Sequence, residues 1–195
     1  MFQRSKTLSF LVAAAIAAAL SLPAYAGDKK FIESDDAKKD DEAPQKYLKN
    51  YDKLVKGKEA DWVWFAEGFD AKAFKTVKVK PYAATGKNSR SKAAAEDGPG
   101  YWDKWVSKTK LNWDVVKGGA DLTIEGNIAD AWEPSGAARA WGGWMANPGT
   151  CQEVIGKDSK GNTVFEIRHK SKGSTLSDSV ENGIENICKS IAKGK

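Results

Sequence analysis

ADLTIEGNIADAWEPSGAARAWGGWMAN, residues 120–147, reads as one long strand, a tight turn and a second strand built largely from Gly, Ala and Trp. Leu122, Ile124, Gly126, Ile128 and Trp132 fall at every second position or nearly so, while Thr123, Glu125 and Asn127 take the other face. That period of two marks a half-buried strand. Pro134, Ser135 and Gly136 turn the chain, and residues 137–145 are expected to return antiparallel beside it.

Downstream, Asn147, Pro148 and Gly149 break the pattern, and residues 150–156 and 162–170 form a second hairpin around Gly161. Residues 175–193 make the cleanest helix, with Leu176, Val180, Ile184, Ile187, Cys188 and Ile191 in one stripe. Thr175 with Asp178 is suited to cap its start, and Lys189 and Lys193 suit the dipole at its end.

Upstream, Tyr47, Leu48, Tyr51, Leu54 and Val55 recur at helical spacing and predict a short helix ended by Gly57. DWVWFA, residues 61–66, is an aromatic strand, and Asp70 is an N-cap for one helical turn. TVKVKPY, residues 76–82, alternates Val77 and Val79 with Lys78 and Lys80 until Pro81 closes it. Residues 83–98 are polar and irregular, with a helical turn at 92–96. Pro99 opens a helix over residues 99–116 that gathers Trp102, Trp105, Val106, Trp113 and Val116 on one broad face. Helices on one face of a mixed, mostly antiparallel sheet bury these stripes most simply, so the fold class is α+β, a single domain over residues 45–195.

The ends of the sequence carry different signals. Arg4 and Lys6 precede an apolar run at residues 8–20, and Ala24-Tyr25-Ala26 offers a small-x-small cleavage pattern. Residues 1–26 are therefore expected to be a secretory signal peptide, too short in its apolar part for a permanent span. Residues 27–44 are almost all charge and read as a disordered linker. Asp35, Asp36, Asp40 and Asp41 within it lack the glycine and spacing of a calcium loop. The formal charge of +5 is interleaved rather than clustered, which argues against nucleic acid as a partner. Both cysteines, Cys151 and Cys188, lie beyond the expected cleavage site. In an oxidising compartment an even count favours a disulfide, worth roughly 3–4 kcal/mol for a loop of about 38 residues. The alternative is two buried thiols acting as small hydrophobes.

Chemistry-bearing motifs are sparse. His169 is the only histidine and reads as an exposed strand-end residue rather than a catalytic base. One His and two separated Cys do not make a usual closed zinc site, and the glycines of residues 136–149 do not form a phosphate loop. No metal, cofactor or catalytic residue is assigned. Of the eight tryptophans, Trp132, Trp141 and Trp144 border the central turn, where they are candidates for an aromatic binding platform together with Arg139. Trp62, Trp64, Trp102, Trp105 and Trp113 are expected in the core.

The stretches YLKNYDKL at residues 47–54 and FKTVKVKP at residues 74–81 resemble the opening of uncharacterised bacterial envelope lipoproteins. Residues 120–143, with Gly126, Gly136, Arg139 and Gly142, are similar to the strand-turn-glycine signature of those families, and the hairpin at residues 154–166 also fits. This chain departs from them in having no lipobox cysteine. The resemblance implies an α+β envelope domain with no established enzymatic activity and no residues of defined role. The leading expectation is a non-enzymatic periplasmic or secreted interaction domain, an accessory in envelope assembly or transport. The alternatives are a carbohydrate- or lipid-binding module using its tryptophans, and a carboxylate-based hydrolase.

Overall fold

The computed structural model describes residues 43–135 and 147–194. Eight strands and three α-helices appear there. They are β1 (Val55–Lys56), β2 (Trp62–Phe65), β3 (Thr76–Val79), β4 (Ala83–Ala84), α1 (Ser89–Asp97), α2 (Trp102–Lys108), β5 (Asp114–Val115), β6 (Leu122–Trp132), β7 (Gly149–Asp158), β8 (Thr163–Lys172) and α3 (Leu176–Lys193). The strands form one mixed, mostly antiparallel sheet in the order β1-β2-β8-β7-β6-β3-β5, with β4 also paired to β6. The helices pack on one face, and the molecule is a single α+β domain.

Alternation along the long strands decides what each face carries. Leu122, Ile124 and Ile128 of β6, Val154 of β7, and Phe165 and Ile167 of β8 point to the helices and are fully buried. They meet Val180, Ile184, Ile187 and Ile191 of α3, whose spacing of three and four residues aligns one stripe. Each such side chain contributes about 1.5–3 kcal/mol relative to exposure. The capping box of Thr175 and Asp178 closes the start of α3 as its sequence predicts, and Gly194 ends it in the left-handed region.

Several elements differ from the sequence expectation. Residues 83–98, expected to be irregular with a helical turn at 92–96, hold β4 and the nine-residue helix α1, which the Asn88 side chain caps by accepting from the Ser91 amide. Residues 47–54 are not a helix: apart from one 3₁₀ turn at Tyr51–Lys53 they run as a strap across the sheet face opposite the helices. Their apolar residues still face the sheet, but the backbone amides of Lys49 and Asn50 donate to the Glu166 carboxylate instead of to helical carbonyls. The helix expected to reach residue 116 ends at Lys108, because Lys110 and Asn112 take positive φ and turn the chain into the edge strand β5. Finally, the antiparallel partner of β6 is β7, in register from Leu122↔Asp158 to Trp132↔Gly149. The return strand expected at residues 137–145 lies outside the described residues.

The expected Cys151–Cys188 disulfide is not formed. Both residues are buried, but Cys151 alternates with Gln152 on β7, and Gln152 is the one that reaches α3, donating to the Val180 carbonyl at 3.0 Å. Cys151 therefore points to the strap side, whereas Cys188 lies in the helix-side core. The sheet stands between the two sulfurs, and burial pushes the Cys188 thiol well above its ordinary range.

Candidate functional site

The strap covers a buried polar network that the alternation of β6, β7 and β8 places on one face. Arg168 Nη1 lies 2.5 Å from Glu153 Oε1, and both side chains are almost wholly inaccessible. Tyr51 donates its hydroxyl to the same Glu153 oxygen at 2.5 Å, and Asn127 Nδ2 donates to the other at 2.9 Å. Glu166 accepts from the Lys49 and Asn50 amides and from Asn50 Nδ2 at 2.9 Å. Every oxygen of both carboxylates is thus engaged. This is the pair of acids that β7 and β8 bring onto one face, and it is enclosed beneath the strap rather than open to a substrate as glycoside chemistry requires.

The strap is sensitive to alkali. Burial first, and then the Glu125 and Glu153 carboxylates, push the Tyr47 hydroxyl from the ordinary 10.0 up to about 12. The folded state therefore holds this proton more tightly than the unfolded chain. Stability from this group is fully present below about pH 10 and is lost as the pH rises through about 12. Urea unfolding across that window is expected to show a decline that Tyr47→Phe flattens. An unchanged slope in the variant would refute the assignment.

His169, expected at an exposed strand end, is buried on the helix side. The alternation of β8 turns it inward, in line with Phe165 and Ile167. Its Nδ1 lies 2.8 Å from Asp61 Oδ2 and its Nε2 3.0 Å from Asn186 Nδ2. The Asp61 backbone amide also reaches Nδ1, at 3.3 Å. Both nitrogens are engaged, so the ring ties the residue before β2 to β8 and α3.

At the other end of the strap-side face, Trp132 closes β6. Its ring lies directly over Gly149, where a Cβ would fall 1.9 Å from the ring. Lys170 of β8 places its ammonium 4.9 Å from the centroid, and the indole remains half-buried. A β-bulge between Ile128 and Asp130 sets this geometry: it shifts the phase so that Ala131 faces the core and Trp132 the strap side. Arg139, Trp141 and Trp144, the other residues of the expected platform, lie outside the described residues. Of the tryptophans expected in the core, Trp102 and Trp113 are there, Trp62 and Trp64 pack half-buried against the strap cluster, and Trp105 is half-buried beside α3.

No helix among the described residues is long and apolar enough to cross a membrane. No group of three or more His, Cys, Asp and Glu that could hold a metal ion occurs among them.

No protein-family profile matches the chain, and no curated protein sequence matches it. Solved structures give weak likenesses. PelC from Paraburkholderia phytofirmans, a dodecamer, is 13% identical over 66% of this chain and 95% of that one, with a TM-score of 0.49. Lipoprotein GNA1162 from Neisseria meningitidis is 7% identical over 51% of this chain and 83% of its own, with a TM-score of 0.35. A DUF4136 family protein from Bacteroides thetaiotaomicron is 10% identical over 73% of this chain and 95% of that one, with a TM-score of 0.34.

Proposed function

We propose that this chain is a non-enzymatic interaction domain of the bacterial envelope, exported by residues 1–26 and acting as an accessory in assembly or transport. The observation that supports it is the half-buried Trp132 ring, held over Gly149 with the Lys170 ammonium against it, at the end of the strap-side face. An indole with a cation beside it offers both apolar area and charge, the combination that anchors protein interfaces. Residues 136–146, which follow in the chain, supply Arg139, Trp141 and Trp144.

The test is purification of tagged protein from gently solubilised envelopes, with light scattering on the isolated domain. A stoichiometric partner, lost on Trp132→Ala and on Trp141→Ala with Trp144→Ala, is the expected result. A monomer that brings down no partner would sink the reading. A carbohydrate or lipid ligand for the same ring is the second reading, and a saturable change in tryptophan fluorescence with cell-wall glycans or lipids would favour it.

A further inference from the structure

The opposite end of the strap-side face holds an open cleft of about 490 Å³. Its floor is one row of the sheet: Lys78 of β3, Thr123 of β6 and Lys157 of β7 stand side by side in register. With strands about 4.8 Å apart, the two lysine backbones are separated by about 10 Å. Lys80, two residues on from Lys78 and just past the end of β3, reaches Glu125 on the same face. The glycine pair 118–119 and the turn at residues 158–161 wall the cleft.

Charge in the cleft is unevenly spent. Glu125 gives one oxygen to Lys80 at 2.7 Å and the other to Lys157 at 2.5 Å. Burial works to raise its pKa, but those two lysines outweigh burial and hold the carboxyl below its ordinary value. Asp158 is consumed within its own turn by the amides of Lys160 and Asn162 and the Asn162 side chain. Both carboxylates are therefore engaged. Lys78, by contrast, has no ion pair among the described residues, and neither the Thr123 hydroxyl nor the Lys78 ammonium makes a hydrogen bond among them. The cleft is lined by one cation uncommitted among the described residues, by two that share Glu125, and by the Thr123 hydroxyl.

We propose that this cleft binds a phosphate monoester group, seated over Thr123 between Lys78 and Lys157. Lysine ammoniums act on phosphate as point charges with several donors each, and a dianion matches one free cation plus the unused donors of two others. The small-residue wall lets the group approach the sheet closely. The site is separate from the Trp132 end and does not depend on the partner reading.

The test is amide NMR of the chain from residue 27 onward at constant ionic strength, titrated with inorganic phosphate, then with glucose 6-phosphate. A third titration uses vesicles of phosphatidylcholine containing phosphatidic acid. Saturable shifts at Lys78, Gly119 and Thr123 are expected. Response to the sugar phosphate identifies a soluble ester as the source, and response to vesicles alone identifies a lipid headgroup. Lys78→Ala is expected to weaken binding about fivefold, the scale of one exposed charge contact, and Lys78→Arg to restore most of it. Lys108→Ala, on the helix side, serves as the control. Shifts that do not saturate, or an equal loss in Lys108→Ala, would overturn the site. So would binding that appears only when Asp35→Asn, Asp36→Asn, Asp40→Asn and Asp41→Asn are combined, because the cleft would then belong to the chain's own acidic stretch.

Discussion

Arg168→Ala is expected to destabilise the domain by about 3–5 kcal/mol, because it strands a carboxylate in the interior. Glu153 is fully buried, and among the described residues Arg168 supplies its positive partner. Tyr51 and Asn127 donate to the same carboxylate, so their contacts are weakened with it. Against a total stability of about 5–15 kcal/mol, a loss of this size brings many domains close to unfolding. Chemical denaturation of the single variant, set beside Glu153→Leu combined with Arg168→Met, separates the causes. The paired apolar replacement is expected to recover most of the loss, since neither charge is then left buried alone. A single variant that loses less than about 1 kcal/mol would show that solvent reaches Glu153 and that the strap is not a closed cover.

Trp102→Ala is expected to cost a similar amount, about 3–5 kcal/mol, through a different mechanism. The indole is fully buried, and its Nε1 donates to the Tyr82 hydroxyl at 2.6 Å. Tyr82 in turn lies flat over Gly126 of β6, where a Cβ would fall 2.1 Å from its ring. Truncation leaves a large void and removes the hydrogen bond of the buried hydroxyl, whose proton burial already holds well above the ordinary tyrosine range. Trp102→Phe keeps most of the volume and loses the donor, so it is expected to cost only about 1–3 kcal/mol. Equal losses for the two variants would place the energy in the hydrogen bond instead of the packing.

These two sites differ in how far the sequence disclosed them. Trp102 sits on an apolar helical face, and the pattern alone places it in the core. The same holds for α3 and the β7–β8 hairpin, whose periodicity, cap and turn lie within a few residues of one another. The strap-side network was not legible. Glu166 and Arg168 alternate with Phe165 and Ile167, the pattern of a strand with one solvated face. What buries them is a segment 116 residues from Glu166, whose backbone amides donate to the Glu166 carboxylate, and no local pattern encodes that contact. The disulfide expectation fails for a related reason: the helical spacing places Cys188 on the inner stripe, where it lies, but the facing of Cys151 depends on strand phase, which a one-residue difference reverses. The candidate platform was legible only as a cluster of tryptophans. That Trp132 turns to the strap side follows from a bulge that the sequence does not announce.

The position of β2 has a consequence for how the chain acquires its structure. β2 pairs with β8, Trp62 against Arg168 and Phe65 against Phe165, so an early strand finds its neighbour only after the last described strand exists. A polypeptide synthesised or exported from its N-terminus carries the aromatic segment at residues 62–65 without its neighbour until β8 has emerged. Such distant pairing slows the search for the native topology and prolongs the life of sticky intermediates. A nascent chain arrested before residue 163 is therefore expected to be a good substrate for holding chaperones, and release of the final strand and helix is expected to end that dependence in one cooperative step.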